Sequence, residues 1–449
     1  MEPSPQKHTR NLSRASRPRS STRGPLDQPD ELISPGASAS PVSQSQASQI
    51  LDASTGASFS LLDPLAPDVS PADIDKDLSY LLRYDVYHSL AQIDIPPALR
   101  SEFLAPTTDQ SLQSCLASLE RLMTEGHFLL AAYLSATILT STLISPTDTK
   151  LILALFYTRL VCLELSGNTV LAAQESKALE DLSSTFYYIE PKHQSSEAGD
   201  TLKHPEYPRH IVPWCLRVLA VRLQSIGFGD SRRGIAGLYE IGLEARREIM
   251  RPDLTDEERR IWKERLSDLG IRSVNALIEM GDLSAARRSL VNLRTSSAEN
   301  ETTRLRKALL LLLIGDLDSA KRVTGEPNET DNSILHPLLN MADGRYNDAA
   351  AGWRDLLAKE PTRSDESMIS QNLAVCLLYT GQLNEARQVL EGLLQANHSF
   401  GSLVFNLSTV YELCSDKSAK MKTDLVHAIS RQPVTGHTNL DRPNADFKL

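Results

Sequence analysis

Four times in the second half of the chain the same short run recurs: Gly, a polar residue, Leu or Tyr, two variable residues, then Ala. The copies are Gly281-Asp282-Leu283 with Ala286, Gly315-Asp316-Leu317 with Ala320, Gly344-Arg345-Tyr346 with Ala349, and Gly381-Gln382-Leu383 with Ala386. Such a run punctuates a helix-turn-helix hairpin. Gly permits the tight turn, the large apolar residue seals it, and Ala stands where two helices approach too closely for a bigger side chain. Gly281 and Gly315 lie 34 residues apart, the period of the tetratricopeptide repeat. The next intervals are 29 and 37, so the array is degenerate. Looser copies stand upstream at Gly126-His127-Phe128 with Ala131, at Gly167-Asn168-Thr169 with Ala172, and at Gly229-Asp230. The expected fold class is all-α: a tetratricopeptide-like helical-hairpin solenoid, in which each repeat touches only its neighbours.

Composition agrees with helices. Hydrophobic residues make up 41% but aromatic ones only 5%, so the interior must be Leu, Ile, Val and Ala at helix contacts, where strands would want more aromatic and β-branched residues. A net charge of −10 argues against a general affinity for nucleic acid or anionic lipid. Five scattered cysteines, with no Cys-x-x-Cys pair, fit buried thiols in a reducing compartment. Met1 to Arg23 carries charges and no apolar run, unlike a signal peptide. The uncharged stretch Phe128 to Thr147 is broken by Ser135, Thr137, Thr140, Ser141 and Thr142, and reads as a buried repeat helix rather than a membrane span.

Five regions follow. Residues 1–70 hold fifteen Ser and nine Pro, too few large apolar groups to offset the entropy of ordering, and should form a disordered tail. Within it Ser13, Ser16 and Ser20 follow arginines, and Ser34 and Ser40 precede prolines; all five are candidate phosphosites that would cancel the basic patch of the first 23 residues. Residues 71–190 are N-terminal helical repeats, opened by Ser70-Pro71-Ala72-Asp73 with Ile74, Leu78 and Leu81 at helical spacing. Residues 191–213 form a Pro- and Tyr-rich connection. Residues 214–431 are the C-terminal array, within which Thr255 and Glu258 make a capping box that opens a long helix through Met280. Residues 432–449 are a polar tail.

The residues offer no catalytic constellation. Gly227-Phe228-Gly229 has Arg232 where a dinucleotide fingerprint needs its third Gly. No phosphate loop, nucleophile elbow or His-Glu-x-x-His occurs, and His204 and His210 lack further ligands for a metal. No cofactor and no catalytic residue is expected. Trp353 belongs to the core by register; Trp214 and Trp262 suit either core or partner contact. What remains is binding. Arg306, Gln371, Asn372 and Tyr379 fall on first helices, which line the groove of such an array, and Phe405 and Tyr411 are further candidates for partner contact. Arg306 and Asn372 alone have suitable chemistry among the aligned positions Thr302, Leu305, Arg306, Leu309, Met368, Gln371, Asn372 and Val375, and they do not make the ordered set that clamps acidic C-termini.

Two blocks carry a more specific signal. The first is Asn372-Leu-Ala-Val-Cys-Leu-Leu-Tyr-Thr-Gly381, followed by Leu390-Glu-Gly-Leu and by Leu403-Val-Phe-Asn-Leu-Ser-Thr-Val-Tyr-Glu-Leu413. The second is Tyr207-Pro-Arg-His-Ile-Val-Pro213 running into Leu216-Arg217-Val-Leu. Together they resemble subunit 12 of the TRAPP vesicle-tethering complex, in its fungal-type form, from about Leu112 onward. The resemblance implies a non-catalytic scaffold subunit in endoplasmic reticulum to Golgi transport and autophagy. It implies TRAPP subunits 8, 11 and 13 as partners and a cytoplasmic location, peripheral to membranes. A free-standing adaptor that holds short peptides in its groove is the competing expectation.

Overall fold

A computed structural model of the chain describes residues 62–66, 76–90, 111–189, 208–293, 301–325, 333–359 and 365–432. The five candidate phosphosites lie outside these residues. Sixteen α-helices are present among them: α1 Leu112–Thr124, α2 Phe128–Thr140, α3 Thr149–Leu165, α4 Thr169–Glu175, α5 Trp214–Phe228, α6 Ser231–Ile249, α7 Asp256–Glu279 and α8 Leu283–Asn292. They continue with α9 Glu301–Ile314, α10 Leu317–Thr324, α11 Leu335–Ala342, α12 Tyr346–Lys359, α13 Glu366–Tyr379, α14 Leu383–Gln395, α15 Gly401–Cys414 and α16 Ser418–Ser430. Each packs on the next, and α7 also touches α9, α9 touches α11, and α13 touches α15. The architecture is an all-α helical-hairpin solenoid.

The turns explain the hairpins. All seven turn glycines of the sequence pattern have positive φ, from 63° at Gly229 to 83° at Gly281. At Gly281 the glycine N–H donates to Ile278 O and the following N–H to Leu277 O, the pair of hydrogen bonds that closes a helix C-terminus on a left-handed residue; Gly381 and the others repeat it. A Cβ built at Gly281 or Gly381 meets nothing within 4 Å, so backbone conformation and not space demands the glycine. The polar residue that follows caps the next helix where it is Asp: Asp282 Oδ1 accepts from Ala285 N and Asp316 Oδ1 from Ser319 N. Ala131, Ala172, Ala286, Ala320, Ala349 and Ala386 are all fully buried.

An eighth turn escapes the pattern. Asn397 has φ 63°, and Asn397 N and His398 N donate to Leu394 O and Leu393 O in the same geometry between α14 and α15. Asn is the residue next best suited to this conformation.

One core cluster takes in described residues on both sides of the Pro- and Tyr-rich stretch. The first cluster begins at Leu78 and Leu81, includes α1 to α4, and takes in Tyr187, Ile211 and Val212 together with Leu216, Leu219 and Leu223 of α5. The opposite face of α5, at Val218, packs on Leu238, Ile241 and Leu269. The connection's two ends are tied by a short antiparallel ribbon, β1 Tyr188–Ile189 with β2 Arg209–His210. Leu78 and Leu81 are buried as expected, but the segment is a 3-10 turn, Ser79–Leu82, not an α-helix. Leu78 N donates to Pro146 O, which takes a donor that a helix would have used. The capping box at Thr255 forms with both its bonds. Trp353 is fully buried.

One part of the tail also departs from expectation. Within the stretch 1–70, residues 62–66 are folded onto the array, with Asp63 buried.

Candidate protein-interaction surface

No described helix is long and apolar enough to cross a membrane. The stretch from Phe128 is the 13-residue α2, with eight buried residues. Among the described residues no group of His, Cys, Asp and Glu could hold a metal. His210 is instead a structural residue. Its Nδ1 accepts from Val212 N, which assigns the proton to Nε2, and that nitrogen lies 2.9 Å from Leu182 O. The ring stacks on Tyr187 with centroids 5.9 Å apart. All five cysteines are free thiols.

The surface features suited to a partner are apolar. On α6 the core takes Ile235, Leu238, Ile241 and Ala245, and the other side presents Tyr239 and Leu243 and, at the C-cap, Met250, which are 52%, 48% and 81% exposed. Their spacing of four and seven places them on one helix face. Arg246 and Arg247 are exposed beside them. At the start of the same helix Arg233 lies over the half-exposed Phe228 ring, 4.2 Å from its centroid, and Lys177 is 5.2 Å from it. An aromatic and apolar stripe edged by arginines has the composition of an interface core and its rim.

The residues nominated from the sequence are placed differently from one another. Tyr379, 46% exposed, lies flat on Tyr346 of α12, with ring centroids 4.5 Å apart and planes 6° apart. Arg306 of α9 reaches Asp268 of α7 at 3.3 Å, which links successive first helices, and Asp268 also holds Arg272 at 2.6 Å. Asn372 is half-buried and donates to Met368 Sδ; Phe405 is half-buried. Gln371 and Tyr411 are buried, and both serve contacts inside the array. Gln371 Oε1 accepts from Ser402 Oγ of α15, and Tyr411 O–H donates to Glu391 Oε1 of α14. Burial raises the Tyr411 hydroxyl well above its usual range, with Glu391 adding to the effect. The structure therefore does not gather the six residues into one site. Sequence reasoning passed over the α6 stripe, although Tyr239, Leu243 and Met250 at that spacing, opposite the periodic Leu238 and Ile241, carry the signal of a second apolar face.

Two curated relatives match the chain. Over 250 residues, 49% of this chain, it is 24% identical to trafficking protein particle complex subunit 12 from mouse and to the human protein of that name. The match spans 31% of the mouse protein and 34% of the human one, about a third of their length. No family model matches, and no solved structure matches.

Proposed function

We propose that this chain is a non-catalytic scaffold subunit of a TRAPP-type vesicle-tethering assembly. The observation that carries the reading is the 250-residue similarity to mammalian subunit 12; the helical-hairpin array and the arginine-edged stripe on α6 supply a physical means of docking. In this reading the chain works on the cytoplasmic side, peripheral to endoplasmic reticulum and Golgi membranes, in transport between them and in autophagy, and meets subunits related to TRAPP 8, 11 and 13. The fungal-type form rests on the sequence resemblance alone, since the matched relatives are mammalian. Membrane contact is indirect, through the assembly. Affinity purification of the tagged chain from its native cells tests this: TRAPP subunits should co-purify, and their absence would overturn it.

The Tyr346–Tyr379 stack favours a second reading, a free adaptor that grips short peptides on its first helices with Tyr379, Asn372 and Arg306. That reading predicts a stable monomer with micromolar peptide affinity. Burial of Gln371 inside the array removes one of its donors.

A further inference from the structure

Leu62-Asp63-Pro64-Leu65-Ala66 is held against helices that lie more than 140 residues away in sequence, and the way it is held is that of a bound peptide. Ala66 N donates to Asp63 O at 2.9 Å, and Leu65 N to Asp63 Oδ1 at 2.9 Å. The segment is thus a closed turn stiffened by Pro64, with little left to lose on docking. Asp63 is its anchor. Oδ2 accepts from Trp214 N at 2.8 Å, and Oδ1 is paired with the Arg265 guanidinium. The Asp63 and Arg265 side chains are 8% and 10% exposed.

The receptor side is built for such a group. Helix α5 starts after Pro213, which has no side chain able to cap it, and the carboxylate of Asp63 fills that place at the positive end of the helix. Trp214 and Trp262 meet edge to face, centroids 5.3 Å apart. Arg265 lies over both, 5.0 Å and 4.7 Å from the ring centres, so the two rings help to hold its guanidinium in place. Arg217 lies 5.7 Å from the Trp214 ring and is spoken for by Glu244. Cys215, whose thiol burial pushes up to about 12, brings no negative charge. Among the described residues Asp63 is the carboxylate paired with Arg265. A buried guanidinium deprived of its partner is costly, so an emptied site would demand an acidic ligand.

We propose that the cleft formed by Trp214, Trp262 and Arg265 is a docking site for an Asp-Pro-apolar turn on a partner protein, occupied in cis by Leu62–Ala66. The two states exclude each other, because one carboxylate satisfies both the α5 N-terminus and Arg265. Cis occupancy lowers the apparent affinity for a partner by the fraction of time the site is free: a site closed 90% of the time binds about tenfold more weakly. A partner already held elsewhere on the array gains effective concentration and can displace the segment.

The test uses the full-length chain and a fluorescein-labelled synthetic peptide carrying Leu62 to Ala66 with its natural flanks. Asp63→Ala should free the cleft, so this variant should bind the peptide about tenfold more tightly than wild type. A peptide with Asp changed to Ala should not bind it, and Arg265→Gln added to Asp63→Ala should abolish binding. In the unaltered protein, excess unlabelled peptide should quicken hydrogen exchange at the Leu65 and Ala66 amides, a measurement that stands even if Asp63→Ala fails to fold. Equal binding to both proteins, no binding to a folded Asp63→Ala chain, or unchanged exchange at saturating peptide would overturn the proposal and leave the contact as a structural tie.

Discussion

Arg159 and Glu175 form a two-pronged ion pair in the interior, each residue 1% exposed: Nε donates to Oε2 at 2.9 Å and Nη2 to Oε1 at 2.7 Å. Two further guanidinium hydrogens go to Ala132 O and His88 O, and His88 N donates to Oε1. The pair thereby ties α3 and α4 to the segment 76–90, which has no α-helix of its own. Removing one partner should leave an uncompensated buried charge at a cost of about 3–5 kcal/mol. Glu175→Ala should lower the urea midpoint strongly and raise protease sensitivity within 76–90. The double change Arg159→Met with Glu175→Leu should be much milder.

The turn conformation is testable at its two residue types. Gly381→Ala forces a Cβ into a left-handed backbone with free space around it, and should cost about 1–2 kcal/mol. Gly381→Asn should cost less, because Asn397 already holds the same geometry. Asn397→Gly should fall within about 0.5 kcal/mol of neutral. At the neighbouring crossing, Ala386→Leu should cost about 1–3 kcal/mol by overpacking. Thermal midpoints of the four variants check the order.

His210 gives a pH dependence of known sign. Burial first, and the charge of Arg217 second, lower its pKa from 6.5 to about 3. Below pH 6.5 the unfolded chain takes up a proton that the folded chain refuses, so folding is fully supported above about 6.5 and loses this support as pH falls towards about 3. The loss reaches about 1.4 kcal/mol per pH unit at most. His210→Phe keeps a ring against Tyr187 and should flatten that part of the stability profile, whatever its effect at neutral pH. An unchanged slope would remove His210 as its cause.

The repeat was legible because its determinants are local. A left-handed backbone needs Gly at the turn, a crossing needs Ala, and both sit within six residues of each other. The same locality explains the misses. Asn397 does a glycine's work under another letter. Ser79–Leu82 has helical spacing, but Pro146, a residue far along the chain, takes the Leu78 N–H. Leu62–Ala66 lies in a segment of disordered composition, and only Arg265 and the start of α5, beyond any sequence window, hold it. Arg159 and Glu175 carry no pattern at all until α3 and α4 face one another. Among the nominated contact residues, register placed Gln371 on a first helix but could not say that Ser402 of α15 would cover it.

Docking of this array into a tethering assembly, as proposed above, would use the apolar stripe on α6 as one contact surface. It is tested most directly by quantitative co-purification of the tagged wild-type chain beside the variant Tyr239→Ser, Leu243→Ser, Met250→Ser. These side chains are about half to four-fifths exposed, so the variant should keep its helical circular dichroism and thermal midpoint. TRAPP subunits should co-purify with the wild type and be reduced about tenfold or more with the variant, equivalent to about 1.4 kcal/mol of binding energy. A wild-type chain recovered without any TRAPP subunit would contradict it.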